Sequence, residues 1–275
     1  SLEKIFKENN ISSVIHFAGL KSVEESFTNP LEYYENNVQG SLNLINCMRI
    51  HEISNFIFSS SACVYGLSKK VPMREGLELK PTNPYGKTKA IVEEICKDLS
   101  KSNANKFNCI NLRYFNPIGA HHSGILGESP LKSAKNIIPI LAKSILKEEE
   151  KFKIFGKDYD TTDGTAVRDY IHIMDLADGH IKALDFLFKN KTQLIKLNIG
   201  TGKGHSVLDL IKTFENANNV SVPFEFDQRR DGDVCQLVAD NSKAKSILNW
   251  SPAKSLKEMC IDGWRWKNIN PKGYM

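Results

Sequence analysis

The sequence predicts an α/β fold, a parallel β-sheet with helices on both faces, followed by a smaller mixed α/β domain. Three observations predict it. Short apolar runs recur at 14–19 (VIHFAG), 55–61 (NFIFSSS) and 107–115 (FNCINLRYF), and a strand buried on both faces reads in this way. Helical patterns separate these runs, as in strand–helix–strand crossovers, which are right-handed and join parallel strands. After Phe115 the texture changes: residues 116–135 are rich in Asn, Gly, His, Ser and Pro, and later elements are shorter. Residues 1–116 and 117–275 therefore read as two domains.

Each element has its own signal. LEKIFKE opens the chain as an amphipathic helix, and VIHFAG is the first strand. Asn29 and Pro30 start a long helix, PLEYYENNVQGSLNLINCMRIHE, with a capping side chain followed by proline's fixed φ. NFIFSSS is the second strand. A Pro-containing loop then leads to a helix that begins at Pro84, with Asn83 as its cap. FNCINLRYF is the third strand. The second half holds a helix near 136–149, the helix MDLADGHIKALDFLF near 174–189, a strand near 194–199, a helix after Ser206, the strand VPFEF and the terminal helix KEMCIDGWRWK. The helix near 174–189 is expected to pack back on the first domain. GTGKG at 200–204 follows a strand and precedes a helix, the context of a phosphate-binding turn. His205 stands where that fingerprint wants glycine, so a tight turn into a helix capped by Ser206 explains it better.

Composition narrows the function. At 275 residues, 41% hydrophobic and 25% charged, the chain has ample core. The net charge of +5 is spread over scattered lysines (Lys69–Lys70, Lys132, Lys135, Lys143, Lys147). With no basic block, a small anionic ligand is a better partner than nucleic acid. Cysteines stand at 47, 63, 96, 109, 235 and 260, none in a CxxC pair, which reads as reduced thiols in a cytoplasmic protein. No signal peptide and no bilayer-length apolar run is present, so no membrane role is expected. His121–His122 has no third ligand at a metal-binding spacing and reads as a loop pair; no metal is expected.

PYGKTKA at 84–90 carries the chemistry. Tyr85 is the second residue of its helix, and Lys89 lies one turn on, over the same face. A free phenol has a pKa of about 10. A nearby ammonium and the positive end of a helix both favour the phenolate. The stretch is thus either an ordinary helix start with a surface pair or a tyrosine prepared for proton transfer. Ser61 weighs towards the second reading. It ends the preceding strand, and in parallel sheets ligands sit beyond the carboxyl ends of strands. Ser61 and Tyr85 would then relay a proton to or from a substrate alcohol.

Longer strings carry a resemblance: FAGLK (17–21), NPLEYYENNVQG (29–40), FSSSACVYG (58–66), PYGKTK (84–89), LRYFNPIGAH (112–121), DGTAVRDYIHIMDLADGH (163–180) and RRDGD (229–233). In this order they resemble the extended short-chain dehydrogenase/reductase family, and within it the UDP-glucose 4-epimerases, over essentially the whole chain. The resemblance implies a Rossmann-like sheet, here N-terminally truncated. The family pattern opens with a strand, a Gly-x-x-Gly-x-x-Gly loop and a second strand ending in aspartate, on the order of 60 residues ahead of this match. A chain without them is expected to leave a sheet edge and an apolar face open and to hold NAD weakly.

The resemblance also implies roles. Ser61, Tyr85 and Lys89 match the catalytic triad. Phe17, Ala18, Gly19, Lys21, Asn36 and Phe115 match positions lining NAD, together with Tyr85 and Lys89. Asn116, Asn136, Ile137, Phe155, Arg168, Arg230 and Asp233 match positions around a UDP-sugar, together with Ser61 and Tyr85. Blander readings stand beside these: salt bridges for Arg168 and Arg230, a turn for Asn116 and core packing for Phe17. The implied reaction interconverts UDP-glucose and UDP-galactose. Tyr85 takes the 4-hydroxyl proton with Ser61, hydride passes from C4 to NAD, the 4-keto sugar turns over, and hydride returns to its other face. Lys89 is expected to lower the Tyr85 pKa. A homodimer through the helices at 30–51 and 84–101 is implied by family analogy. A catalytically inactive truncated fragment or non-enzymatic UDP-sugar-binding module, a redox-sensing regulator, and an NAD-dependent nucleotide-sugar dehydratase or decarboxylase are the alternatives. The last is disfavoured because Ala62 and Cys63, not acidic residues, follow Ser61. Leu237, four beyond Asp233, leaves acceptance of N-acetylhexosamines open.

Overall fold

The computed structural model describes residues 2–68, 70–102, 106–130, 135–146, 151–190, 194–230 and 232–274. Lys69, Lys132, Lys147, Asp231 of RRDGD and residues 147–149 of the predicted helix lie outside the described residues.

Helix α1 (Leu2–Glu8) leads into β1 (Ser13–His16) and the short α2 (Val23–Thr28). The long helix expected from Pro30 has three parts: α3 (Pro30–Tyr33), a π-helical turn (Tyr34–Gln39) and α4 (Gly40–Ile50). Next come β2 (Asn55–Ser61), a 3₁₀ turn (Ala62–Tyr65), α5 (Pro84–Lys101), β3 (Asn108–Tyr114) and β4 (Asn116–Ile118). The remainder is α6 (Ile137–Ile145), β5 (Phe152–Phe155), β6 (Val167–Arg168), β7 (Tyr170–His172), α7 (Ile173–Lys189), β8 (Leu194–Ile199), β9 (His205–Ser206), α8 (Val207–Asn218), β10 (Phe224–Asp227), β11 (Gln236–Leu237), α9 (Ser242–Leu248) and α10 (Leu256–Ile269).

The central sheet has the order β1-β2-β3-β8, and every pairing in it is parallel. Successive residues of β2 point to opposite faces. Phe56 and Phe58 join Phe6, Ile45, Met48, Val92 and Cys96 under α1, α4 and α5. Ile57 joins Leu112, Leu176, Ala183, Leu197 and Trp250 under α7 and α9. Helices therefore cover both faces, with α7 against β2 and β3. A separate core gathers Ile118, Leu141, Phe152, Ile154, Leu210, Phe214 and Met259 from β4, α6, β5, α8 and α10.

A buried polar network runs through the first core. The Arg113 guanidinium donates to both oxygens of Glu93, at 2.9 and 2.6 Å. Neither side chain is more than 1% exposed. Arg113 also donates to the Tyr65 hydroxyl at 2.9 Å, and Ser60 donates to Glu93 at 2.5 Å. This network joins α5 to β2 and β3. The GTGKG loop wraps an anion that belongs to the protein. The Asp169 carboxylate accepts from the Thr201, Gly202 and Ala239 amides at 2.7, 2.9 and 3.1 Å. Gly202 sits at φ +75°, a conformation natural to glycine. Ser206 then caps α8 by accepting from the Asp209 amide. The loop is a structural turn, as its misplaced third glycine predicts.

Candidate active site

Parallel strands end together. The carboxyl ends of β1, β2 and β3 lie on one rim of the sheet, with Ser61 paired to Tyr114 and Tyr114 to Ile199. That rim brings the stretch 17–21, Ser61, Phe115 and Asn116 to one crevice, the usual ligand site of such sheets. Helix α5 enters it by its N-terminus. Asn83 accepts from the Gly86 amide at 2.7 Å, and Pro84 is the first helical residue. This cap fixes where Tyr85 stands.

Tyr85, Ser61 and Lys89 are brought together here. Burial pushes the Tyr85 phenol above its ordinary pKa, and the nearby Cys63 adds to the rise, while a hydrogen bond with Ser61 opposes it. The Lys89 ammonium donates to the Ser59 carbonyl at 2.8 Å and lies 5.9 Å from the Tyr85 ring centroid. Among these influences on the Tyr85 phenol, the lowering one is Ser61. The Lys89 ammonium is directed at the Ser59 carbonyl.

Burial also pushes Lys89 itself down to about 8 from 10.5. Because the folded value lies below the unfolded one, the unfolded chain binds more protons between these limits. Stability then rises with pH across that window. Relative to Lys89→Met, the wild type is expected to gain about 3 kcal/mol between pH 7 and pH 10.5. Urea midpoints for both proteins at each pH check this, and a constant difference would contradict it.

The stretch proposed for the cofactor has a cradle. Phe17, Ala18, Gly19, Lys21 and Asn36 are exposed, whereas Phe115 is buried. A side chain at Gly19 would begin 3.2 Å from Asn37 Oδ1 and 3.5 Å from Lys89 Nζ. Glycine thus keeps the backbone open beside the ammonium, as close approach of a dinucleotide requires. The residues present fit such a group.

The positions expected around the sugar nucleotide form a second group. Arg168 on β6 pairs with Asp233 in a short, half-buried contact. The Arg230 guanidinium stacks 3.8 Å over the Phe155 ring. Asn116 binds by its amide to the Asp169 carbonyl at 3.0 Å, and its buried side-chain oxygen has no partner. Asn136, the residue before α6, donates to Glu128 at 2.5 Å; Ile137 beside it is half-buried. Cys63 joins the two groups. Its thiol is pushed up by burial and senses Ser61 as well as Arg168 and Asp233.

Comparison with known proteins gives the lineage. The family model described as GDP-mannose 4,6 dehydratase matches residues 1–262. UDP-glucose 4-epimerase of Dictyostelium discoideum is 47% identical over 274 residues, covering 100% of this chain and 79% of that protein. The Pasteurella multocida UDP-glucose 4-epimerase is 48% identical, covering 99% and 80%. This chain belongs to the UDP-glucose 4-epimerase family. Among solved structures, the Bifidobacterium longum UDP-glucose 4-epimerase in complex with NAD⁺ and UDP superposes with a TM-score of 0.95 at 43% identity, covering 99% of this chain and 81% of that one.

Sequence reading missed several residues that hold this epimerase-family site. Asn37, 3% exposed, accepts from the Leu20 amide at 2.7 Å and donates to the Leu20 carbonyl at 2.9 Å and to Thr88 at 3.1 Å. It ties the stretch 17–21 to α5. Glu128 bridges Lys21 and Asn136. Asn37 lies inside the π-helical turn, and such turns recur at functional sites, but the periodicity of YENNVQ read as plain helix.

Proposed function

We propose that this chain is a UDP-glucose 4-epimerase. It interconverts UDP-glucose and UDP-galactose at C4 through a 4-keto intermediate, with NAD as cofactor. The observation that carries the reading is the meeting of Ser61, Tyr85 and Lys89 at the carboxyl rim of a parallel sheet, beside the open backbone of residues 17–21. Relatives of that name, 46–48% identical, support it.

When bound, NAD would supply the hydride store that oxidation and reduction at C4 require. Phe17, Ala18, Gly19, Lys21, Asn36 and Phe115 would hold NAD, with Tyr85 and Lys89. Tyr85 and Ser61 move the proton of the sugar 4-hydroxyl. The phenol oxygen accepts it in the oxidative half and restores it in the reductive half. Burial, which raises the phenol's pKa, suits the second task; the nearby Ser61, which lowers it, serves the first. Arg168 and Arg230 supply forked donors for the pyrophosphate. Asn116, Asn136, Ile137, Phe155 and Asp233 complete the UDP-sugar site. A dehydratase lacks its acid here, since Ala62 and Cys63 follow Ser61.

The test is conversion of UDP-galactose to UDP-glucose by the purified chain supplied with NAD; no conversion would overturn the reading. Arg168→Ala is expected to raise KM for UDP-galactose roughly 10- to 100-fold, the worth of a charge-assisted hydrogen bond, with a smaller change in kcat. An unchanged KM would remove Arg168 from the site.

Residues 1–116 are proposed as the NAD-binding domain and 117–275 as the UDP-sugar domain, with α7 packed on the first. Six free thiols support a reducing, cytoplasmic setting, and no described helix is long and apolar enough to cross a membrane. The exposed sides of α3, α4 and α5 are proposed to pair about a two-fold axis as a homodimer, which sedimentation would read directly.

A further inference from the structure

Glu3, Cys47 and His51 meet where α1 crosses the end of α4, away from the crevice. Cys47 and His51 are four residues apart and project from the same side of the helix end. Glu3 reaches them from the first turn of α1. The His51 Nε2 lies 3.3 Å from one Glu3 oxygen, and the Cys47 Sγ lies 3.7 Å from the other. One ligand atom from each of the three falls within 4.8 Å of the others. With zinc bonds of about 2.3 Å to sulfur and about 2.0–2.2 Å to nitrogen or oxygen, the corners of a tetrahedron lie about 3.4–3.6 Å apart. The two spacings to the Glu3 carboxylate lie close to those edges, and the third pair falls within 4.8 Å.

Thiolate, imidazole and carboxylate together select a borderline-soft divalent ion rather than magnesium or calcium. The Phe6 ring packs 5.5 Å from the His51 ring and keeps one side apolar. Cys47 is buried, whereas Glu3 and His51 are half-buried, so a fourth corner would open towards solvent.

We propose that Glu3, Cys47 and His51 form a structural zinc site, completed by water, that fastens α1 to α4. Lys7 is the competitor: its ammonium lies 3.5 Å from Glu3, with the side chain 67% exposed. A dication bound to three donors displaces it to solvent. Binding releases the Cys47 thiol proton to the buffer. The proton and the metal compete for the same sulfur, so affinity rises with pH. The proposal is independent of the epimerase reading.

Titration of the chelator-treated full chain with Co²⁺ tests it. One equivalent is expected to give a near-ultraviolet sulfur-to-cobalt charge-transfer band and tetrahedral visible bands, both bleached by Zn²⁺. Cys47→Ser should lose the charge-transfer band, while Cys63→Ser and Cys235→Ser keep it. His51→Ala, a change on the solvent side, should weaken binding roughly tenfold or more. Saturating Zn²⁺ should raise Tm by roughly 5 °C, and this gain should vanish in Cys47→Ser. No charge-transfer band in the wild type, or a band that survives Cys47→Ser, overturns the site. Should Cys47→Ser misfold, His51→Ala decides alone, because unchanged affinity overturns it equally.

Discussion

Tyr85→Phe is expected to lower the turnover of UDP-galactose by roughly 10²–10⁴-fold, the usual worth of a positioned acid–base group, while the dissociation constant for the UDP-sugar changes little. The substitution removes one oxygen and leaves the helix start intact. Asn83 still caps α5 through the Gly86 amide, and Pro84 still sets its first φ. The aromatic ring keeps its packing, so a loss of rate reports the hydroxyl alone. A drop in kcat and kcat/KM by the same factor is the signature of an interaction made in the transition state. Steady-state kinetics with calorimetric binding of the UDP-sugar separates the two quantities. Turnover within a few fold of wild type would remove Tyr85 from the proton path and shift the role to the neighbouring Ser61.

Much of this was legible in the sequence, for physical reasons that differ by element. NFIFSSS reads as a strand because both faces are buried, and it is one over the whole of Asn55–Ser61. The α5 start is legible because Asn-Pro is a local signal that needs no tertiary context. The long helix from Pro30 was only partly legible. Its π-helical turn places Asn37 against Leu20 and Thr88, and those partners lie 17 and 51 residues away. The two-residue strands β6, β9 and β11 carry no periodicity, since their pairings hold Arg168 near Asp233 rather than bury a face. The Tyr85–Lys89 pair shows the same limit. Helical spacing gives their nearness, but the direction of the ammonium follows from the Ser59 carbonyl on β2, which no local pattern encodes.

Glu93→Gln is expected to destabilise the fold by about 3–5 kcal/mol, the cost of leaving a buried charge without its counter-charge. Arg113 is fully buried and spans from β3 to the face of α5, where Glu93 takes both of its forked donors. Neutralising Glu93 strands the guanidinium, because its remaining partners, the Tyr65 hydroxyl and the Glu75 carbonyl, are uncharged. The sequence offers no warning of this, since Glu93 sits in VEEICKDL and Arg113 in NCINLRYF, twenty residues apart. The pair is costly to break and of small net value to keep. Removing both charges together, as Glu93→Leu with Arg113→Met, is therefore expected to recover most of the loss. Urea unfolding of the single and double variants measures the coupling. A single variant within 1 kcal/mol of wild type would mean that water reaches the guanidinium. A double variant as unstable as the single would mean that Tyr65 and Ser60, left without their charged partners, carry the penalty instead.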